Sequence, residues 1–414
     1  MMIRLGTVFS GIGAVEQALL RLGISHTIAF ACDNGDVELK LLPKPQQKRY
    51  EELRKLNKKG VLTNDEQIEF AKYEQEEATI VANILARVYT FSSKDAKREY
   101  IESVYDKYSN QKNYVKQSYF ANYNINPSDF HLDIRFFDGT DYQEKVDLLV
   151  GGSPCQSFST VGAQLGFDDT RGTLFYEFAR IVKETRPKVF IFENVNGLTK
   201  NDDGKTLATI KHIFRNELKY KVKDEQVLNA SDYGIPQTRR RMFLIGIRDD
   251  INCGEFNYPC SVARKYAMQD FLEENCADGH FTFDKKTGEL IVERVKGCPN
   301  PKFNLTDGVQ KYVLASGTKS FKTSTETDLP IARTLLKTMT QHHRAGVDNY
   351  ITIQENPKRL RALTDREALR LMGFPDSFKM VVSSPQIYRQ AGNSIVVDVM
   401  MAILRKIIET GVFN

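Results

Sequence analysis

Cysteine is scarce in this chain, six in 414 residues at positions 32, 155, 253, 260, 276 and 298. None forms a Cys-x-x-Cys pair, which excludes a disulfide-framed scaffold and points to a reducing, cytoplasmic setting. The last four lie 7, 16 and 22 positions apart, spacings that fit no compact zinc finger, so no metal is expected. Long apolar runs are also missing. Nothing approaches the roughly 18 residues that cross a bilayer, and the opening MMIRLGTVFSGIG is cut by Gly and Ser too early for a signal peptide or an anchor. Neither internal repeats nor low-complexity tracts occur. A net charge of +5 and a pI near 8.6 are too mild to announce a nucleic-acid partner by composition alone, so any such contact must come from clustered cations. With 41% hydrophobic and 27% charged residues, the composition is that of a folded protein rather than a disordered or fibrous one. The length exceeds what one core usually holds, so two domains, or one with a large insertion, are expected. No obligate protein partner is evident and a monomer is expected.

What is present begins with a short apolar segment, Leu5 to Phe9, broken at Ser10-Gly11-Ile12-Gly13. Ala14, Val15, Ala18, Leu19 and Leu22 follow at helical spacing, closed by Gly23. This reads as strand, glycine turn, helix. Further apolar runs at Thr27 to Ala31, Asp147 to Val150 and Val189 to Phe192 read as buried parallel strands, which implies an α/β sheet with helices on both faces. Residues 37–128 have another texture, rich in Lys, Glu, Gln and Tyr, with a Thr63-x-x-Glu66 capping box and helical stripes. That stretch is expected to be a helical insertion within a catalytic and cofactor-binding domain spanning 1–251. Residues 252–357 show weak periodicity and scattered Gly, Pro, Thr and Cys, as expected of a smaller irregular domain. Residues 358–414 regain strong pattern, end in a helix from Val396 to about Glu409, and should return to complete the first domain.

The chemistry-bearing residues gather at predicted strand ends. The glycine turn could cradle a nucleotide-type ligand, with backbone approach at the glycines and free N–H groups at the helix start. A dinucleotide fingerprint would want glycine at position 16, where this chain has Glu16, so NAD is disfavoured. Asp33 stands at the end of the second strand, where a carboxylate can accept hydrogen bonds from ribose hydroxyls. Gly151-Gly152-Ser153-Pro154-Cys155-Gln156 follows the strand ending at Val150. That places a cysteine on a loop at the edge where α/β sheets bind ligands, and the next strand ends in Glu193-Asn194-Val195 at the same edge.

Pro154-Cys155-Gln156 followed by Glu193-Asn194-Val195 resembles the DNA (cytosine-5) methyltransferase family. Other blocks resemble it in the family's order: Phe9 to Gly13, Arg171-Gly172-Thr173-Leu174, Gln237-Thr238-Arg239-Arg240-Arg241, Arg366-Glu367-Ala368 with Met372-Gly373-Phe374-Pro375, and Gln390-Ala391-Gly392-Asn393-Ser394. The resemblance implies a Rossmann-like methyltransferase sheet, S-adenosylmethionine as cofactor, and duplex DNA as partner. It further implies Cys155 as covalent nucleophile, Glu193 bonding the cytosine ring, Arg241 holding the base carbonyl and bracing Glu193, and Arg239 near the reactive centre or a phosphate. Cofactor contacts carried over are Phe9, Ser10, Gly11, Ile12 and Gly13 of the turn, then Asp33, Asp133 with Ile134, Pro154, Leu174 and Asn393. Asp138 competes with Asp133 for the adenine. The loop from Gln156 to Thr173 is expected to close over DNA around a base flipped from the duplex.

This chain departs from the family in the roughly ninety residues placed after the second strand. A solvated helical decoration and an extra DNA- or partner-binding element both stay open for it. Residues 252 to about 328 have the position of a target recognition domain, whose side chains would read bases in the major groove. His342 and His343, next to Arg344-Ala345-Gly346 at its exit, are candidates for phosphate rather than base contact. An RNA cytosine methyltransferase and a catalytically silent binding module are the rival readings. The length of the recognition region argues against the first, and the intact Cys155, Glu193 and arginine set against the second.

Overall fold

In a computed structural model the chain is described at residues 2–153, 174–317, 322 and 324–414. It opens with β1 (Ile3–Val8), α1 (Ala14–Arg21) and β2 (His26–Cys32), followed by four helices, α2 (Lys44–Lys59), α3 (Asn64–Val88), α4 (Lys94–Tyr108) and α5 (Tyr114–Asn122). Next come β3 (Phe130–His131), β4 (Leu148–Gly151), α6 (Leu174–Thr185), β5 (Val189–Val195), α7 (Lys205–His212), β6 (Tyr220–Val222), β7 (Gln226–Asn229) and β8 (Arg240–Arg248). The expected capping box starts α3, with Glu66 N donating to Thr63 Oγ1 and Thr63 N to Glu66 Oε2.

Among the described residues these strands form one sheet in the order β3-β2-β1-β4-β5-β8-β6, with β7 also beside β8. The first five are parallel, while β8 runs antiparallel to β5, β6 and β7. From β1 the chain goes outward to β2 on one side and later to β4 on the other. The order therefore reverses between β1 and β4, and a crevice opens there beyond the carboxyl ends of the strands, where ligands bind in such sheets. The α/β expectation holds. Side chains alternate across the strands: Val189 and Ile191 of β5 and Phe243, Ile245 and Ile247 of β8 pack with α1 and the C-terminal helices. Phe190, Phe192, Met242 and Leu244 pack with α6 and α7 on the opposite face.

The later chain adds two small antiparallel ribbons, β9 (Phe281–Phe283) with β10 (Leu290–Val292) and β11 (Tyr350–Glu355) with β12 (Lys358–Ala362), and the helix α8 (Asp307–Val313). Leu305, Val313, Ala345, Tyr350 and Leu360 make a separate small core, whereas Phe256, Met268, Phe271, Cys276 and Phe281 join the main one. Cys260 and Cys298 are exposed. The chain then returns through α9 (Asp365–Arg370), α10 (Ser384–Asn393) and α11 (Val397–Glu409), and α11 packs on α1. Among the described residues no helix is long and apolar enough to cross a membrane.

One buried cation fixes this return. Arg21, at the end of α1, is fully buried; it forks onto Asp398 of α11 at 2.8 and 2.9 Å and donates to the carbonyls of Gly288 and Gly373. Removing it would strand a carboxylate and two carbonyls. Arg21→Ala is expected to cost about 3–5 kcal/mol of stability, read as a lowered urea midpoint, and an unchanged midpoint would refute this role.

Candidate active site

The turn after β1 is built by residues with unusual backbone. Phe9, Gly11 and Gly13 all have positive φ, at 53°, 54° and 79°. Ser10 is the fastener of the turn: its Oγ accepts from Cys32 N at 2.9 Å and lies 2.8 Å from Thr7 Oγ1. Its hydroxyl is thus spent inside the protein. Gly11 N donates to Asp33 Oδ2 at 2.8 Å, and Gly35 N to Asp33 Oδ1 at 2.7 Å, so the β2 carboxylate sits against the turn as its position in sequence suggests. Burial lifts Asp33 to about 6, against the pull of those two N–H groups. A Cβ at Gly11 would meet open space, whereas one at Gly13 would lie 2.2 Å from the Tyr123 ring. Gly11 therefore faces the crevice and Gly13 the core. The Ile12 side chain is wholly buried, leaving only its backbone to the crevice.

Glu16, in the first turn of α1, is buried, and its Oε1 accepts from Tyr119 at 2.5 Å and Thr7 Oγ1 at 3.0 Å. Tyr123 OH donates to Gly13 O at 2.7 Å. Both tyrosines come from α5 and its C-terminal end, four residues apart and hence on one side of the helix. The same helix reaches the C-terminal block: Ser118 donates to Gln390 Oε1 and Gln390 Nε2 to Tyr114 O. In this way α5 clamps the glycine turn to the helix that ends in Asn393. Asn393 itself is exposed, 3.4 Å from Asp36. Sequence reading missed these residues, although the Tyr119/Tyr123 spacing and a lone Glu at the start of an apolar helix were available signals.

The adenine candidates are both heavily bonded. Asp133 pairs with Arg135 at 2.7 Å and accepts from Tyr105 of α4 at 3.1 Å. Asp138 takes Lys97 of α4 at 2.7 Å and Thr140 Oγ1 at 2.6 Å. Ile134 is buried beside them, and Leu174 opens α6 partly buried.

At the next strand end, β8 brings the arginine block to β5. Val195 pairs with Arg241 and Glu193 with Phe243, so Glu193 and Arg241 are diagonal neighbours on one face. They form an ion pair, Nε to Oε1, at 3.1 Å. Burial still raises Glu193 above the usual carboxylate range, with Arg241 and then Arg239 opposing. The chain leaving β4 passes directly over this carboxyl. A Cβ at Gly152 would stand 2.5 Å from Glu193 Oε2 and 3.1 Å from its backbone carbonyl, so any larger residue there would press on the carboxyl. Asn194 Nδ2 then donates to Ser153 O at 2.9 Å. Glu193 and Asn194 thus contact Gly152 and Ser153, the two residues that precede Pro154 in sequence. Pro154, Cys155 and the loop to Thr173 lie outside the described residues.

Arg239 is placed differently from Arg241. Its guanidinium is buried and donates to the carbonyls of Leu335 (3.1 Å), Gly392 (2.8 Å) and Ser394 (2.8 Å). Burial first, then the nearby Arg241, lowers it to about 9. Gln237 works beside it, donating to Leu371 O and accepting from Leu335 N. Arg240 is exposed.

The structure of the S. pombe Dnmt2 methyltransferase superposes on this fold with a TM-score of 0.57 at 16% identity, covering 98% of each chain. The fold is thus the Rossmann-like methyltransferase class. The family model for C-5 cytosine-specific DNA methylase matches residues 96–409. Among curated relatives, the Type II methyltransferase M1.ScrFI of Lactococcus lactis subsp. cremoris is 35% identical over 298 residues, 71% of this chain and 69% of that one. M.HhaI of Haemophilus parahaemolyticus is 34% identical over 301 residues, 72% and 85% respectively. The chain belongs to the C-5 cytosine-specific DNA methylase family, and its activity is that of a DNA cytosine-5 methyltransferase.

If Arg239 holds chain segments together rather than phosphate, its loss should register in folding. Arg239→Met and Arg239→Lys are both expected to lose about 2–4 kcal/mol in urea unfolding, since a single ammonium nitrogen cannot stand in for the two separated guanidinium nitrogens that reach these carbonyls. The salt dependence of DNA affinity should hardly change. Wild-type stability with a shallower salt slope would instead make Arg239 a phosphate ligand.

Proposed function

We propose that this enzyme methylates carbon 5 of a cytosine flipped out of a specific duplex DNA sequence, through a covalent Cys155 adduct, as the protective half of a restriction-modification system. Its Type II relatives support the biological role; the Glu193–Arg241 pair beneath the chain that leads to Cys155 is the observation that carries the chemistry. We further propose a monomer acting in the cytoplasm, with residues 252–357 as the recognition domain.

S-adenosylmethionine fits the crevice between β1 and β4: Gly11 leaves open space above the turn, and Asp33 offers an acceptor beside it. Phe9, the backbone of Gly11 to Gly13, Asp33, Ile134, Leu174 and Asn393 would hold it, with Pro154 from the catalytic loop. When bound, it supplies an electrophilic methyl group on a sulfonium sulfur. Asp133, already bound to Arg135, would serve the adenine only through acceptor capacity left over by those bonds.

Carbon 5 of cytosine is a poor nucleophile until a thiolate adds at carbon 6. Cys155 forms that sulfur–carbon bond, and the ring electrons shift toward carbon 5. Glu193, raised in pKa by burial, carries the proton that bonds ring nitrogen 3 as negative charge develops there. Arg241 orients Glu193 and faces the base carbonyl. After methyl transfer, loss of the proton on carbon 5 expels the Cys155 thiolate and restores the ring. Asn194 holds Ser153, the last described residue before Cys155.

Fluorine cannot leave carbon 5 as a cation. Duplex DNA with 5-fluorocytosine at the target, together with cofactor, should therefore give a complex that survives denaturing electrophoresis. Cys155→Ala should abolish it, and Glu193→Gln should slow its formation by about 100-fold or more. An adduct in the Cys155→Ala protein, or none in wild type on a sequence it methylates, overturns the assignment.

The Asp33 acceptor should show in cofactor affinity. Since its carboxylate is lost as pH falls through 6, calorimetric affinity for S-adenosylhomocysteine should weaken between about pH 7.5 and about pH 5. Asp33→Asn should be weak and flat across that range. In the free protein the sign is opposite: a buried carboxyl with raised pKa favours the protonated folded state, so this group adds stability as pH drops below 6.

A further inference from the structure

Helix α2 carries seven Lys and Arg against two Glu, while its neighbour α3 carries six Asp and Glu against two basic residues. The charges are sorted, not mixed. Part of the sorting is internal, since Arg49 of α2 pairs with Glu69 of α3 at 2.9 Å. The lysines are different. Lys44, Lys48, Lys55, Lys58 and Lys59 are all exposed, and none has an ion pair among the described residues. At 100° per residue they fall within an arc of about 100° along about 22 Å of helix. Tyr50 and Leu53 bury the other side of α2. The two acids on or beside the lysine arc are both taken by cations from off it: Glu51 by Lys40 at 3.1 Å and Glu52 by Arg49 at 3.8 Å. With both acids of the helix engaged elsewhere, the five lysines keep their charge uncompensated by ion pairs among the described residues.

The position of this face favours one partner. The insertion leaves the sheet at the carboxyl end of β2, the edge that holds the crevice and Glu193. β2 lies three strand spacings, about 14 Å, from β5. The stem is tied to the rim of that edge, where Asp36 lies 3.8 Å from Lys337 and 3.4 Å from Asn393. Helix α2 is tied in turn to the stem, by Arg54 to Glu38 at 2.7 Å and by Gln47 Oε1 to Leu42 N. A duplex presenting a base to Glu193 extends well beyond 14 Å on either side. Its phosphates, about 3.4 Å apart along the axis in each strand, match a cationic stripe of about 22 Å.

We propose that the lysine face of α2 is a second, sequence-independent contact of this enzyme with the backbone of duplex DNA flanking the target. The insertion thereby extends the footprint without taking part in base reading or in chemistry.

The test uses the full chain and a duplex of about 40 base pairs. Amine acetylation of the protein, free and DNA-bound at low salt, is mapped by mass spectrometry. Lys44, Lys48, Lys55, Lys58 and Lys59 should be protected by DNA, while Lys72 on α3, with 70% of its side chain exposed, stays reactive. In parallel, the Lys48→Gln/Lys55→Gln/Lys59→Gln protein should show a slope of log affinity against log salt shallower by about 0.9 for each phosphate no longer neutralised. Its affinity at 0.1 M salt should fall by up to about eightfold per lysine. Methylation at saturating DNA and the unfolding midpoint should be unchanged, because these side chains touch neither core nor crevice. Equal reactivity of the five lysines with and without DNA overturns the proposal, as does an unchanged salt slope. Protection by anionic vesicles but not by duplex would equally overturn it.

Discussion

A buried guanidinium with three carbonyls around it holds the middle of this chain and its C-terminal return in register. Arg239 precedes β8, Leu335 belongs to the chain coming back from the irregular region, and Gly392 and Ser394 flank Asn393 at the end of α10. An arginine kept from water is costly unless its hydrogen-bonding capacity is filled, and carbonyls from separate segments fill much of it only when all three segments are in place. The interaction is therefore conditional. Gln237 and Arg21 repeat the principle, each satisfying backbone groups of distant segments from inside the core. Chain folded more than three hundred residues after α1 is thus fixed beside it.

With the return secured, the site follows from strand direction. The parallel strands end at one edge, so the loops after β1, β2, β4 and β5 meet there. The one reversal, β8 against β5, carries Arg241 to the same edge from the opposite direction. A parallel β8 would have presented its C-terminal end there and left Arg241 at the far side. The Glu193–Arg241 pair is thus a product of topology, and its modest exposure is what raises the Glu193 proton affinity.

The helices after β2 serve two ends. Their last member, α5, packs Tyr119 and Tyr123 under the glycine turn and belongs by contact to the sheet. The earlier ones have a core of their own, Val37, Leu39, Ile84, Val88 and Val104 among it, and join the sheet edge through Tyr105, Lys97 and their acidic partners. This arrangement commits Asp133 and Asp138 to structural bonds that a chain without these helices would not make.

Apolar runs and turn chemistry in the sequence already determined β1, β2, β4 and β5, the glycine turn, α1, the α3 capping box and the final helix, because each is a local pattern; β3, β6, β7 and the antiparallel β8 were not legible in it. The strand-end positions of Asp33 and Glu193 were legible too, since strand ends of a parallel sheet share an edge, whereas the arrival of Arg241 at that edge needed the antiparallel direction of β8. Long-range packing decided the rest. Nothing in Gln237-Thr238-Arg239-Arg240-Arg241 says that Arg239 turns inward to carbonyls while Arg241 turns to a carboxylate. Both lie on the same face of the strand line, and only the segments packed above them differ. Likewise Glu16 reads as an ordinary helix residue until Tyr119 arrives from a hundred residues away, and Gly152 reads as a turn until Glu193 fills the space its missing Cβ leaves. Burial and partner identity arise from chain segments far apart in sequence, which is why only the tertiary structure could assign them.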